Sequence, residues 1–118
     1  MTTPITKNIS RPDETRTFPQ GKLDLVKIGE LVFGKFTLQP GWKWSTCVKP
    51  VVKTEHCMVN HNGYIESGRM RVRMADGNEL ELGPGDAFVC PPGHDAWIVG
   101  DEPCIALDFS GAALYAKP

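Results

Sequence analysis

Residues that can bind a metal ion or exchange a proton are concentrated between positions 55 and 61. Glu55, His56, Cys57 and His61 lie in this short segment, and the third histidine, His94, follows a Pro-Pro-Gly sequence. One thiolate and two imidazoles, from Cys57, His61 and His94, form a soft ligand set that suits Zn²⁺, Fe²⁺, Ni²⁺ or copper. Three protein ligands leave a fourth position open, as a catalytic metal requires. The alternative is that the histidines are solvated and Cys57 is a core thiol.

The tryptophans form a second candidate group, suited to an apolar or planar molecule. Trp42 and Trp44 are two positions apart, so they share a face if residues 41–46 form a strand. Large aromatic side chains are common in the lining of ligand cavities. The alternative is a role in the core or in a subunit interface. The predicted ligand-binding set is Trp42, Trp44, His56, Tyr64 and Trp97.

The elements that must position these side chains have the two-residue period of β-strands. Met70-Arg71-Val72-Arg73-Met74 alternates cleanly, Asp76-Gly77 is a strong hairpin signal, and Leu80-Glu81-Leu82 resumes the alternation. No window of helix length shows apolar residues at helical spacing. The sequence therefore predicts an all-β fold, a sandwich or barrel of two antiparallel sheets with four to six strands each. The predicted core strands carry Val72, Met74, Leu80, Leu82, Phe88, Ile105 and Leu107.

The most specific motif runs from Gly85 to Ala96. Gly85 is followed after five residues by Pro91, after one more by Gly93 and after two more by Ala96. Pro91 fixes φ and Gly93 supplies a turn conformation that other residues avoid, so a sharp corner is expected there. This spacing resembles the second signature of the cupins, Gly-x5-Pro-x-Gly-x2-His, with Ala96 at the position of the final histidine.

The stretch PPGHDAWIVGDEP also resembles a subgroup of small bacterial cupins whose members mostly lack an assigned reaction. The resemblance covers roughly residues 31–110. It implies a cupin double-stranded β-helix, that is, a jelly-roll barrel, and a homodimer in which a second subunit covers exposed edge strands.

The first cupin signature, Gly-x5-His-x-His-x3–4-Glu-x6-Gly, has only a degenerate counterpart. Gly68 fits its closing glycine and puts His61 at the glutamate position. With three intervening residues the two histidine positions fall on Glu55 and Cys57, and with four the second falls on His56. If residues 55–57 are extended, His56 faces away from the other two. The resemblance thus implies a barrel whose ligand set is rewritten.

Charge and composition narrow the function classes. The 13 Lys and Arg nearly balance the 14 Asp and Glu, which argues against a nucleic-acid partner. The first residues lack the apolar core of a signal peptide, and no apolar run approaches the roughly 18 residues of a membrane helix. We therefore expect a cytoplasmic protein without a membrane partner. The cysteines, which include no Cys-x-x-Cys pair, are expected to be reduced: Cys47, Cys57, Cys90 and Cys104.

The predicted domain organisation is a polar N-terminal arm over residues 1–20 and a cupin barrel domain over residues 21–118. The arm is either loose or an extended segment that orders against the barrel or a partner subunit. The predicted function is binding of a small-molecule ligand in the barrel interior, beside a degenerate site that holds either a divalent transition metal (Zn, Fe or Ni) or no cofactor. The alternative is a metal-dependent cupin enzyme of the dioxygenase or isomerase type. A metal-free isomerase similar to the sugar-nucleotide epimerases would need a histidine base facing a tyrosine acid, and Tyr64 is the only tyrosine near the signatures.

Overall fold

The computed structural model describes residues 3–117, which form two antiparallel β-sheets packed around a common core. The strands are β1 (Glu14–Phe18), β2 (Gly21–Ile28), β3 (Leu31–Leu38), β4 (His61–Ser67), β5 (Arg69–Met74), β6 (Glu79–Leu82), β7 (Ala87–Cys90), β8 (His94–Val99) and β9 (Cys104–Asp108). The larger sheet has the order β1-β2-β3-β9-β4-β7, and the smaller has the order β6-β5-β8. The predicted all-β jelly-roll is confirmed, although the smaller sheet has three strands where four to six were expected.

The chain crosses from the larger sheet to the smaller one at a single residue. β4 ends at Ser67 in the larger sheet, β5 begins at Arg69 in the smaller sheet, and Gly68 alone connects them. Gly68 has a φ of +77°, and the register between β4 and β9 shifts just before it. A bulge followed by a left-handed residue lets one strand turn into the other sheet, so this glycine is part of the barrel's corner.

The core follows the predicted alternation on most strands but not on β9. Val72 and Leu82 are buried, whereas Leu80 is 48% exposed and therefore lies outside the core. On β9 the inward residues are Cys104, Ala106 and Asp108, which leaves Ile105 and Leu107 half-buried on the other face. Both faces of β9 carry apolar residues, so alternation alone does not choose between them, and a shift of one position exchanges the faces.

Two short helices connect β3 to β4, in a region where a strand was considered. These are α1 (Trp44–Cys47) and α2 (Lys49–Val52), and Pro50 occupies the first turn of α2, where its missing N–H costs no helix bond. A 3₁₀-helix at Ala112–Leu114 follows β9. No helix within residues 3–117 is long and apolar enough to cross a membrane.

Part of the segment assigned to the N-terminal arm pairs with the barrel. Residues 14–18 form β1, which pairs antiparallel with β2 along its whole length, and Phe18 is buried against the core. Residues 3–13 are mostly exposed, and Asp13 accepts hydrogen bonds from Lys7 and from the Lys27 N–H. Residues 1 and 2 of the proposed arm and residue 118 of the proposed barrel lie outside the described residues.

Candidate metal centre

The candidate metal ligands lie where several strands begin or end at one side of the sandwich. His61 is the first residue of β4 and His94 is the first residue of β8. Cys57 lies in the loop before β4, and its N–H donates to the His94 carbonyl at 2.7 Å. Gly93, with φ of +98°, donates its N–H to the Cys57 carbonyl at 2.8 Å. The Pro-Pro-Gly corner therefore holds Cys57 against His94.

The three side chains converge on one point. The Cys57 sulfur and one ring nitrogen of each histidine all lie within 4.8 Å of one another, and Cys57 Sγ is 3.8 Å from His61 Nε2. All three residues are buried. Two ligand atoms of a tetrahedral zinc site are separated by roughly 3.5 Å, given metal–ligand bonds of about 2.0–2.3 Å. Small side-chain movements would bring this cluster to that spacing.

Hydrogen bonds fix which nitrogen each imidazole presents to the cluster. His61 Nδ1 is bonded to Asp108 Oδ2, and His94 Nδ1 donates to the Pro91 carbonyl at 2.7 Å. Each Nδ1 therefore carries the proton in the neutral ring, and each Nε2 keeps a free lone pair. Metal-binding histidines in proteins are oriented in this way by a carboxylate or a carbonyl on the other nitrogen. The donor set fits a divalent transition metal.

Burial controls the protonation of the cluster. It raises the pKa of the Cys57 thiol to about 11, although a hydrogen bond with the Val59 backbone lowers it in part. It also lowers the pKa of His94, while the bond to the Pro91 carbonyl acts in the opposite direction. Without a metal, Cys57 is therefore a thiol and His94 is a neutral imidazole at pH 7. These are the states from which coordination releases one thiol proton.

Asp108 is a buried carboxylate that the sequence analysis did not include. Burial alone would raise its pKa, but bonding to His61 and the backbone N–H groups of Gly111 and Ser110 outweighs that effect and lowers it. The ionised carboxylate can therefore hold the His61 ring in place. In the sequence, Asp108 could be recognised as an acidic residue at an inward position of an otherwise apolar strand. That recognition requires the register of β9, which the sequence alone does not give.

Tyr115 is the second residue that the sequence analysis missed. Its ring lies 5.5 Å from the His61 ring, centroid to centroid, and it is 3% exposed. Arg16 of β1 fixes this C-terminal segment by donating to the carbonyls of Ala112 and Tyr115, at 2.9 and 2.8 Å. Burial raises the pKa of Tyr115 well above its usual value, so the phenol stays protonated. Nothing in the local sequence near position 115 indicates a long-range contact of this kind.

A small apolar cavity of about 50 Å³ lies beside the cluster, inside the barrel. His61, His94 and Tyr115 line one part of it, and two predicted ligand-binding residues, Trp42 and Trp44, also line it. Trp44 belongs to α1, so the two tryptophans reach the cavity without sharing a strand face. The rest of the lining is mostly apolar and includes Phe36, Leu38, Met70, Val72, Leu82 and Phe88.

The other three predicted ligand-binding residues lie away from this cavity. Trp97 occupies an outward position of β8, where Lys43 Nζ lies 5.2 Å from the centre of its ring. Tyr64 faces outward on β4 and is 39% exposed. His56 is half-buried in the loop before β4 and is not part of the Cys57 cluster. None of the three is among the residues that line the cavity.

Ala96, which takes the position of the last signature histidine, faces the interior and lines the cavity. His94 is the previous inward residue of β8, so the imidazole enters the barrel two positions earlier along the same face. A histidine displaced in this way explains why a strict match to the signature finds only part of the cluster.

The fold is shared with many solved structures at low sequence identity. An oxalate decarboxylase from Lactobacillus farciminis, in a formate complex, matches 86% of this chain with a TM-score of 0.61 and 21% identity, and the match covers 32% of its own length. The polyketide cyclase RemF from Streptomyces resistomycificus matches 80% of this chain and 67% of its own, with a TM-score of 0.59 and 20% identity. A protein of unknown function from Rhizobium leguminosarum matches 93% of this chain and 99% of its own, with a TM-score of 0.64 and 19% identity.

This chain therefore spans about a third of the oxalate decarboxylase, and at these identities the likeness concerns the fold. No curated protein matches the sequence. The EutQ-like cupin domain matches residues 30–104, which is more than half of the chain and includes Cys57, His61 and His94. The chain belongs to the EutQ-like cupin domain family.

Proposed function

We propose that this protein is a small-molecule-binding cupin whose site is built on a divalent transition metal held by Cys57, His61 and His94. The observation that carries the proposal is the convergence of three buried donors whose ligand atoms lie within 4.8 Å of one another. Zn²⁺, Fe²⁺ and Ni²⁺ all suit a ligand set of one sulfur and two nitrogens. A metal at this centre would supply Lewis-acid polarisation to a bound oxygen.

The apolar cavity supports the second half of the proposal. Two of the three donors, His61 and His94, also line the cavity, so a molecule inside it would lie next to the metal centre. Three protein ligands leave a coordination position for that molecule. A metal-dependent enzyme of the dioxygenase or isomerase type would use the same ligands and the same open position.

We include a homodimer in the proposal. β7 is an edge strand of the larger sheet, and its Val89 is 70% exposed. An exposed edge strand with an apolar side chain is a surface that proteins usually cover, and pairing with a second copy is one way to cover it.

Metal analysis tests the proposed centre directly. Protein purified without a metal-affinity column is expected to contain close to one equivalent of Zn, Fe or Ni. When the site is loaded with Co²⁺, the spectrum should show a thiolate-to-cobalt charge-transfer band that Cys57→Ser lacks, because only Cys57 supplies sulfur. Trace metal in the wild type, or a band that survives Cys57→Ser, would contradict the proposal.

The affinity for the metal should rise with pH. Since the pKa of Cys57 is raised to about 11, the thiol is protonated throughout the neutral range and must lose its proton to coordinate. One proton released per ion means about a tenfold gain in apparent affinity per pH unit between pH 7 and 9. Competition with a chelator of known pH dependence measures this slope. A slope near zero would show that the thiol does not bind the metal.

The packing of Tyr115 beside His61 favours a second candidate function, a metal-free isomerase. His61 is oriented by Asp108, and the phenol-bearing ring of Tyr115 packs beside it. A histidine base with a carboxylate behind it and a protonated tyrosine nearby can move protons to and from a substrate carbon. Tyr64, which the sequence analysis considered for the acid, faces away from the cavity. Wild-type protein that contains no metal and binds none would leave this candidate in place of the first.

A further inference from the structure

The indole N–H of Trp42 is a buried hydrogen-bond donor without a partner. Trp42 is 3% exposed, and within residues 3–117 its Nε1 is the one buried side-chain nitrogen or oxygen that makes no hydrogen bond. Native proteins satisfy nearly all such groups, and an unsatisfied one costs free energy that a suitable partner recovers. Because the side chain lines the apolar cavity beside the metal centre, a molecule in that cavity can be the missing partner.

We propose that the cavity binds a small, mostly apolar carbonyl compound whose neutral oxygen accepts a hydrogen bond from Trp42 Nε1. The indole nitrogen can only donate, so the ligand must present an acceptor to it. The proposal rests on the proposed function only in taking this cavity as the ligand site.

The charges around the cavity select a neutral acceptor. Within the described part of the chain, no lysine or arginine lines the cavity, and its one acidic residue, Asp108, is already bonded to His61. A divalent ion at the metal centre would already be balanced by the Cys57 thiolate and the Asp108 carboxylate, so a carboxylate placed at Trp42 would be buried without a counter-charge, which is costly. A ketone, ester or amide oxygen meets the indole without that cost.

The backbone of Trp42 is anchored away from the end of β8 that carries His94. The Trp42 carbonyl accepts a bond from the Ile98 N–H at 3.0 Å, and Ile98 lies four residues beyond His94 on β8. Four residues of a strand span roughly 13 Å. Trp42 and His94 therefore reach the one cavity from backbone positions that lie well apart along β8.

The size of the cavity limits the ligand. Its volume of about 50 Å³ is roughly a third of the ~150 Å³ apolar cavity that accommodates benzene. A compound of about two to four non-hydrogen atoms is therefore the expected scale. Met70 lines the cavity, and its flexible side chain can adjust to irregular shapes.

Nuclear magnetic resonance of the full chain tests the proposal with two probes of equal size. Acetone carries the carbonyl oxygen, and 2-methylpropene replaces that oxygen with a carbon. In ¹⁵N-labelled wild-type protein, the Trp42 indole proton should move downfield, with saturation, when acetone is added and should not do so with the alkene. Trp42→Phe should weaken acetone binding about threefold to tenfold, the range of one neutral hydrogen bond. Trp97→Phe, which removes an outward indole, should leave binding unchanged.

The titration of the wild-type protein tests the proposed hydrogen bond to Trp42 even if Trp42→Phe does not fold. An indole signal that does not respond, equal binding of ketone and alkene, or an indole already held by an ordered water that acetone does not displace would each overturn the proposal. Running the titration before and after chelator treatment separates it from the metal centre. If the protein neither contains nor binds a metal and its indole still responds, the metal centre is refuted and this inference stands, whereas stoichiometric metal without an indole response would do the reverse.

Discussion

His61→Ala is expected to abolish stoichiometric metal binding, whereas His56→Ala should leave it unchanged. His61 contributes one of three donors, and its removal leaves only Cys57 and His94, too few to hold a labile ion against buffer ligands. Loss of an outer hydrogen-bonding partner typically costs 10–100-fold in metal affinity, so loss of a direct ligand should exceed about 100-fold. Elemental analysis and a chelator competition on each purified variant measure the effect.

His56→Ala is the matched control because it removes the same type of side chain from the loop that leads into β4, five residues before His61. His56 is half-buried and is not one of the three converging donors. Circular dichroism of both variants checks that the strands are retained, since His61 also packs against Phe36 and Tyr115. Equal metal content in the wild type and in a folded His61→Ala protein would refute the proposed centre.

The sequence predicts the cluster of Cys57, His61 and His94 because the relevant information is local. Cys57 and His61 lie on one stretch of chain, and His94 follows a corner whose proline and glycine types impose its geometry. A jelly-roll brings strand ends to the same side, so these two segments were expected to meet.

The residues that the sequence did not predict depend on non-local packing. Asp108 faces His61 because β9 inserts between β3 and β4 with one particular register. A strand with apolar residues on both faces does not reveal that register. Tyr115 reaches the site because Arg16, about a hundred residues earlier in the chain, binds the carbonyls of its segment. Neither contact leaves a periodic pattern in the sequence.

For the tryptophans, the sequence predicts two cavity residues correctly, but the strand that it assumes for them is wrong. Trp42 and Trp44 line the cavity, but a helix rather than a strand positions Trp44. Trp97 was grouped with them by residue type alone, and its position on β8 between the inward Ala96 and Ile98 turns it to the outside. Residue type identified the candidates, and only the backbone path decided which of them enter the barrel.

Gly68→Ala is expected to destabilise the protein much more than Gly93→Ala. Both glycines have positive φ, +77° and +98°, so both substitutions carry the left-handed strain of about 1–2 kcal/mol. They differ in the space around the new methyl group. A Cβ at Gly93 would meet nothing within 4 Å, whereas one at Gly68 would lie 2.5 Å from Cys104 Cα and closer still to the Pro103 carbonyl oxygen.

The obstruction at Gly68 is backbone, so no side chain can rotate to relieve it. Gly68 is also the corner between the two sheets, and moving it would disturb the pairing of β4 with β9. Adding an overpacking cost of about 1–3 kcal/mol to the strain gives a total loss of roughly 2–5 kcal/mol for Gly68→Ala, against about 1–2 kcal/mol for Gly93→Ala. Urea unfolding of the metal-free proteins measures both losses. Similar losses for the two variants would mean that conformational strain, and not the close approach of β9, is what requires glycine at the corner.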